Sequence, residues 1–267
     1  MRSNDRDDGP NSVIGRAMAI LTCYRPADQA LSLAELTRRS GLAKPTVHRL
    51  LSELAAWGLV ERSGGAWRLG IQLFELGQMA PRQRELRNAA MPFLNDLHEA
   101  TRETVHLAIL DGAEVVYIEK LARIGSPQLP SRVGGRMSLH CTGVGKALLA
   151  HSSESLFSAI VARGLKRRTP FTIVAPGILL KQLADIRRDS VAYDREESMI
   201  GVTCVAAPIL DNRGIAVASI SISGLSSHLK GSRVEKAVQT TALGVSRQLR
   251  NYAEHDGRLI NSRRVSA

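Results

Sequence analysis

The chain has 267 residues, 44% of them hydrophobic. It contains no run of about 18 apolar residues, so it reads as roughly two globular domains with nothing to span a membrane. Three cysteines without Cys-x-x-Cys spacing give no disulfide framework and suit a reducing cytoplasm. The net charge of +11 invites a nucleic-acid reading, yet only ten of 36 basic and eight of 25 acidic residues lie in the first 80 positions. Any DNA reading must therefore rest on a motif.

Residues 1–11 are polar and acidic; they read as a disordered tail and lack the apolar core of a signal peptide. From Ser12, the residues Val13, Ile14, Ala17, Ile20 and Leu21 recur at helical spacing, a helix expected to pack under the next two. Cys23, at its end, is most simply a small apolar residue. Ser32 and Glu35 form a capping box for a second helix, in which Leu33, Leu36 and Thr37 recur, and Gly41 suits its left-handed end. Lys44-Pro45 opens a third helix, to residue 57, with Val47, Leu50, Leu51 and Leu54 on one stripe. Its opposite face carries Pro45, Thr46, His48, Arg49 and Ser52. Gly58 closes it. Residues 59–62 and 66–69 then read as two strands joined by Ser63-Gly64-Gly65.

That order over 12–70 is a winged helix-turn-helix. A helix of about four turns with a small, polar and basic face fits the major groove. Lys44, Thr46 and His48, with Pro45 on the same face, are expected at base edges and Arg49 at a base or phosphate. Arg62 and Arg68 on the wing are expected at the backbone or minor groove. The residues alone leave a second reading open, a winged helix that meets a protein partner.

Residues 71–87 read as a helical linker, where Ile71, Phe74 and Leu76 serve either a dimer contact or packing on their own domain. The second domain is expected over 88–253. It begins with a helix, Ala89 to Ala100, carrying Pro92 near its start. Residues 104–110 and 114–120 alternate around Asp111-Gly112 as a hairpin. A proline-containing loop, 123–135, follows. The stretch from Ser138 opens as a strand or turn and becomes a helix near Thr142, which can cap it. Helices are expected near 153–163 and 176–189, a second hairpin over 203–210 and 215–223 around Asp211 to Gly214, and a last helix over 232–253. Residues 254–267 read as a mobile tail. Helices alternating with antiparallel hairpins make this domain an α+β sandwich.

Enzyme signatures are missing: there is no G-x-S-x-G, P-loop, H-E-x-x-H or G-x-G-x-x-G, and Gly143 to Lys146 lacks the spacing of a phosphate loop. No cofactor is implied. His140 and Cys141, with Cys204 and Asp194 elsewhere, have no metal-ligand spacing, although a metal site assembled from them stays open.

The chain resembles the IclR family of bacterial transcriptional regulators. The resemblance runs from about Ser12 to Tyr252. It is carried by the winged helix through WRLG (67–70), ETVHLAILDG (103–112), VVYIEK (115–120), RVGGRMSLHCTGVGKALLA (132–150), DREESMIGVTCVAAPIL (194–210) and SISISG (219–224). It departs at Ser190-Val191, where the family carries Gly-Tyr. The resemblance implies a GAF-like effector-binding domain, a double-stranded operator, a small organic-acid effector, and dimers or tetramers. Carried over by motif, Gly143 and Val144 at a helix start would receive a carboxylate. Asp194, Cys204, Ser221 and Ser223 would line the pocket. The bland alternatives are that Asp194 caps a turn, Cys204 is an inert thiol, Glu197 makes a structural bond, and the two serines are small residues where a helix packs closely.

Overall fold

The computed structural model describes residues 12–229 and 232–264. Two compact units divide between Arg84 and Glu85. The tail expected over 1–11 lies outside the described residues. Among the described residues no helix is long and apolar enough to cross a membrane.

The first unit holds α1 (Val13–Leu21), α2 (Leu33–Ser40), α3 (Lys44–Ala56), β1 (Val60–Ser63), β2 (Ala66–Leu69) and α4 (Ile71–Gln78). Ile20, Leu36, Val47, Leu50, Leu51, Leu54 and Val60 form its core, because each helix turns one apolar stripe inward. Ser12 caps α1 through its side chain. Only one side of α1 reaches the core, so Val13 and Ile14, expected inside, are 56% and 77% exposed. Ser32 accepts the Glu35 N–H at 3.2 Å. The other half of the expected capping box does not form, because the Glu35 carboxylate turns to Arg38 and Arg39. The wing closes on Gly64-Gly65 alone, since Ser63 pairs with Ala66. Both glycines have positive φ, 55° and 84°, as a tight two-residue hairpin turn requires. Leu31 adds a short bridge to Trp67, with N–H···O distances of 2.7 and 2.8 Å.

The expected linker is not one helix. Ala80-Pro81 separates α4 from α5 (Pro81–Thr101), which runs 21 residues with Pro92 inside it. Leu86, Ala90, Leu94 and Leu97 make one buried stripe along α5. Packing therefore starts the second unit before the Asn88 expected from sequence.

That unit continues with β3 (Thr104–Asp111), β4 (Glu114–Leu121), β5 (Arg136–Ser138), α6 (Gly143–Ala150), α7 (Glu154–Ala162), α8 (Pro176–Asp189), β6 (Ala192–Arg195), β7 (Val202–Leu210), β8 (Ala216–Leu225) and α9 (Ser232–Arg264). The sheet is antiparallel in the order β5-β4-β3-β8-β7-β6. The β3–β4 turn is Gly112-Ala113, with Asp111 opposite Glu114, one residue past the Asp111-Gly112 expected. Strand β6 is not among the strands read from sequence. It is four residues long and gains its bonds from β7.

Alternation on β8 sorts the faces. Ile220 and Ile222 join a core with α5 and α9, while Ser219, Ser221 and Ser223 face the other way. That second face is covered by α6, with Ile160 of α7 and Leu179, Leu183 and Ile186 of α8. Ser190 ends α8 in the left-handed region, φ 54°. The backbone stays helical through Arg264, past the Glu254 at which a mobile tail was expected. No proline interrupts it, and Gly257 alone only weakens a helix. Residues 265–267 lie outside the described residues.

Candidate functional site

On α3 the buried stripe leaves Lys44, Pro45, His48 and Arg49 exposed and Thr46 half-buried. Arg49 pairs with Glu53 one turn on, at 2.5 Å, with both side chains half in solvent. On the wing, Arg68 meets Glu61 across the strands at 2.7 Å, and the Arg62 guanidinium lies 5.9 Å from the Trp67 ring centroid. The exposed cations Arg49 and Arg68 are thus each held by a carboxylate of their own unit. Such exposed pairs are weak, because solvent screens them, and a phosphate can displace them. Beneath this surface Arg39 joins Asp28, Glu35 and the Cys23 carbonyl. This clamp fixes α2 to the loop before it. The sequence reading missed it, because Arg38-Arg39 reads as a solvated pair. Its hydrogen bonds to Arg38 and Arg39 hold the Glu35 carboxyl down at about 2.

In the second unit a cavity of ≈30 Å³ opens beside the start of α6. Of the residues expected at an effector site, Gly143, Asp194, Cys204 and Ser223 line it. Ser221 and Val144 do not stand among the lining residues: Ser221 is buried 3.4 Å from His106 Nδ1, and the Val144 side chain belongs to the core under α6. Thr142 caps α6 by accepting the Gly145 N–H at 3.1 Å. The Gly143 N–H and the hydroxyls of Ser221 and Ser223 reach the Cys204 sulfur, yet burial dominates and pushes that thiol up to about 11. Cys204 is therefore a neutral group here. A Cβ on Gly143 would stand 2.8 Å from its sulfur, so glycine lets the helix start lie against β7.

Asp194 first serves its own turn. Its Oδ1 accepts the N–H groups of Glu197 and Ser198 at 2.7 and 3.2 Å, and its Oδ2 accepts the Ser198 hydroxyl at 2.5 Å. The capping role and the cavity position coincide. Burial outweighs these donors and raises the carboxyl to about 6.

Three functional candidates escape the sequence reading. Lys146 is 1% exposed and pairs with Glu197 at 2.5 Å. Its ammonium also donates to Gln182 Oε1 at 2.9 Å, while Glu197 Oε2 has no partner. The signal was a lysine inside the apolar stretch GVGKALLA. His106 is also buried, its Nε2 2.8 Å from Ser131 Oγ and its ring edge-on to Tyr117 at 5.1 Å. Burial, with a smaller push from Lys120, takes this imidazole down to about 3. Its signal was a histidine at an inward position of an alternating strand. Ser131 completes the set: it holds His106 through its hydroxyl and the Lys120 ammonium through its carbonyl, at 2.7 Å.

Elsewhere, His140 Nε2 stands 3.1 Å from the Lys166 carbonyl. Among the described residues no three His, Cys, Asp or Glu side chains gather as metal ligands. A larger, open cleft of ≈410 Å³ lies between α8, β6 and α9. None of the expected site residues lines it, and Arg188, Asp185 and Asp189 already satisfy one another there.

Comparison with known proteins covers both units. A family model described as IclR helix-turn-helix domain matches residues 13–64, and one described as bacterial transcriptional regulator IclR C-terminal matches residues 78–247. The chain is 32% identical to the HTH-type transcriptional regulator XynR of Escherichia coli (strain K12), over 88% of this chain and 96% of that protein. It is 33% identical to the transcriptional repressor IclR of the same organism, over 82% of each. Among solved structures, an IclR homolog from Microbacterium hydrocarbonoxydans complexed with 4-hydroxybenzoate superposes with a TM-score of 0.85 at 26% identity, covering 90% of this chain and all of that one. Thermotoga maritima IclR gives 0.74 at 32% identity, covering 88% and 98%.

Proposed function

The chain belongs to the IclR family of bacterial transcriptional regulators, and from that premise we propose how its own residues carry the work. It is a DNA-binding regulator with a C-terminal effector-binding domain. In our reading Lys44, Thr46 and His48 address base edges beside Pro45, and Arg49, Arg62 and Arg68 hold phosphates or groove edges. The effector is a small carboxylate seated at Gly143, with Cys204, Ser223 and Asp194 around it. The observation that supports this most is the meeting of a helix start, a neutral thiol and serine hydroxyls at one small cavity. A helix N-terminus favours an anion, and the homolog named above holds an aromatic carboxylate.

We further propose that the protein acts in the cytoplasm as a homodimer or a dimer of dimers, and turns over no substrate. Val13, Ile14 and Met18 on α1, and Ile71, Phe74 and Leu76 on α4, are at least half exposed. Apolar side chains of that size suit a second copy of the chain better than water. Effector binding then changes operator affinity only as far as it favours one arrangement of the DNA units over another.

Gel mobility of an upstream duplex, titrated with small carboxylates, tests this. A subset of acids should shift operator affinity at least fivefold. Operator binding indifferent to every acid that binds the protein would remove the effector role.

A further inference from the structure

A cavity of ≈30 Å³ has room for about one water, not for an organic acid. Some wall must yield. The β3, β7 and β8 walls are interior strands of the sheet, and α6 is buried along its whole length. Tyr117 lies on interior strand β4, Met137 is on β5, and Asp194 on β6 holds its own turn with Ser198, whereas Leu129, Pro130 and Ser131 come from the irregular connection between β4 and β5, outside every strand and helix. Two side chains clasp it, Lys120 at the Ser131 carbonyl and His106 at the Ser131 hydroxyl.

We propose that His106 determines effector specificity: the entering acid displaces Ser131, and His106 Nε2 takes a neutral hydroxyl or carbonyl oxygen at the far end of the acid from its carboxylate. This rests on the reading of the cavity as the effector site. Of the two clasps, His106 lines the cavity and Lys120 does not, so the imidazole is the group the ligand meets. Its other nitrogen faces the Ser221 hydroxyl, which can donate or accept. Nε2 can therefore accept from a hydroxyl or donate to a carbonyl, replacing the Ser131 bond in kind. The ring is held neutral by burial, so it offers no countercharge to a second carboxylate. Thr104, two residues before His106 on the same strand and opposite Ser223, has a buried hydroxyl without a partner. That adds an unused polar atom on the same face of the sheet.

Effector and clasp thus compete for one nitrogen, and opposite effects follow from the two sides of the bond. The test is calorimetric titration of the full chain with two series: benzoate, 4-hydroxybenzoate and terephthalate, and butyrate, 4-hydroxybutyrate and succinate. In at least one series the wild type should prefer the hydroxy acid at least tenfold over both relatives. His106→Phe should bring the hydroxy acid within about twofold of the plain acid, and His106→Asn, which can still hydrogen-bond, should keep part of the preference. Ser131→Ala should tighten hydroxy-acid binding several-fold. A preference retained in His106→Phe, a weakened Ser131→Ala, or a wild type that favours the dicarboxylate would overturn the assignment. If no acid binds the wild type, the carboxylate reading itself fails and takes this one with it; acids that bind without discrimination sink only the role of His106.

Discussion

Replacing Lys146 by methionine removes one half of a buried ion pair and nearly preserves its volume. Glu197 would then be a carboxylate 4% exposed, with one oxygen that already lacks a partner and another that has lost its ammonium. Stranding one member of a buried pair costs about 3–5 kcal/mol. For a unit of this size, about 2–4 °C of melting temperature goes with each kcal/mol. Lys146→Met should therefore lower the melting temperature of the second unit by roughly 6–20 °C. Removing both charges behaves differently, because a neutral pair has no uncompensated charge to bury. The double variant Lys146→Met with Glu197→Gln should recover more than half of that loss. Scanning calorimetry of the wild type, both single variants and the double variant reads the coupling directly. A Lys146→Met loss below about 1 kcal/mol, or a double variant as unstable as the two single losses added, would refute the reasoning.

Three further outcomes follow from the geometry. Arg49→Ala should weaken operator binding by about 10–100-fold while effector titration stays as in the wild type, whereas Glu53→Gln, which frees Arg49 from its pair, should tighten operator binding; anisotropy titration checks both signs. His106 stays neutral in the folded chain down to about pH 3 but is protonated in the unfolded chain below about 6.5. Its contribution is therefore intact above pH 6.5 and lost as pH falls, by up to about 1.4 kcal/mol per unit. The Asp194 carboxyl, raised to about 6, acts in the opposite direction over the same range, so the reading is the difference: in urea unfolding from pH 7 to 4.5 stability should fall more steeply toward acid in the wild type than in His106→Asn, and equal slopes would remove His106 as a source. Ser190→Gly relieves a left-handed backbone at the end of α8 and should stabilise the second unit by about 1 kcal/mol, read as a higher urea midpoint at unchanged slope.

The helices with strong periodicity and the turns with special residues were legible in the sequence. The stripe of Val47, Leu50, Leu51 and Leu54, the caps at Ser32 and Thr142, and the alternation of Ser221 and Ser223 each follow from local rules. What escaped depends on partners distant in the chain. Strand β6 carries no pattern in its four residues and exists because β7 pairs with it. Pro81 looked like part of a linker because the Leu86 to Leu97 stripe matters only once the sheet lies beneath it. The exposure of Val13 and Ile14 depends on which side of α1 meets α2 and α3. At the cavity, motif resemblance reached Gly143, Asp194, Cys204 and Ser223, which the structure brings to one place. It did not reach His106 and Ser131, 25 residues apart in sequence and joined by a single hydrogen bond. Nor did it reach Lys146, whose partner Glu197 lies 51 residues away.

The central claim is that the polar face of α3 reads a specific DNA. Fluorescence anisotropy of the full chain on duplex from upstream of its own gene, against a scrambled duplex, at two salt concentrations, tests it most directly. The account predicts binding to the upstream duplex at least about 10³-fold tighter than to the scrambled one, weakening steeply with salt as phosphate contacts require. Equal affinity for both duplexes, with and without the carboxylates that bind the second unit, would contradict it.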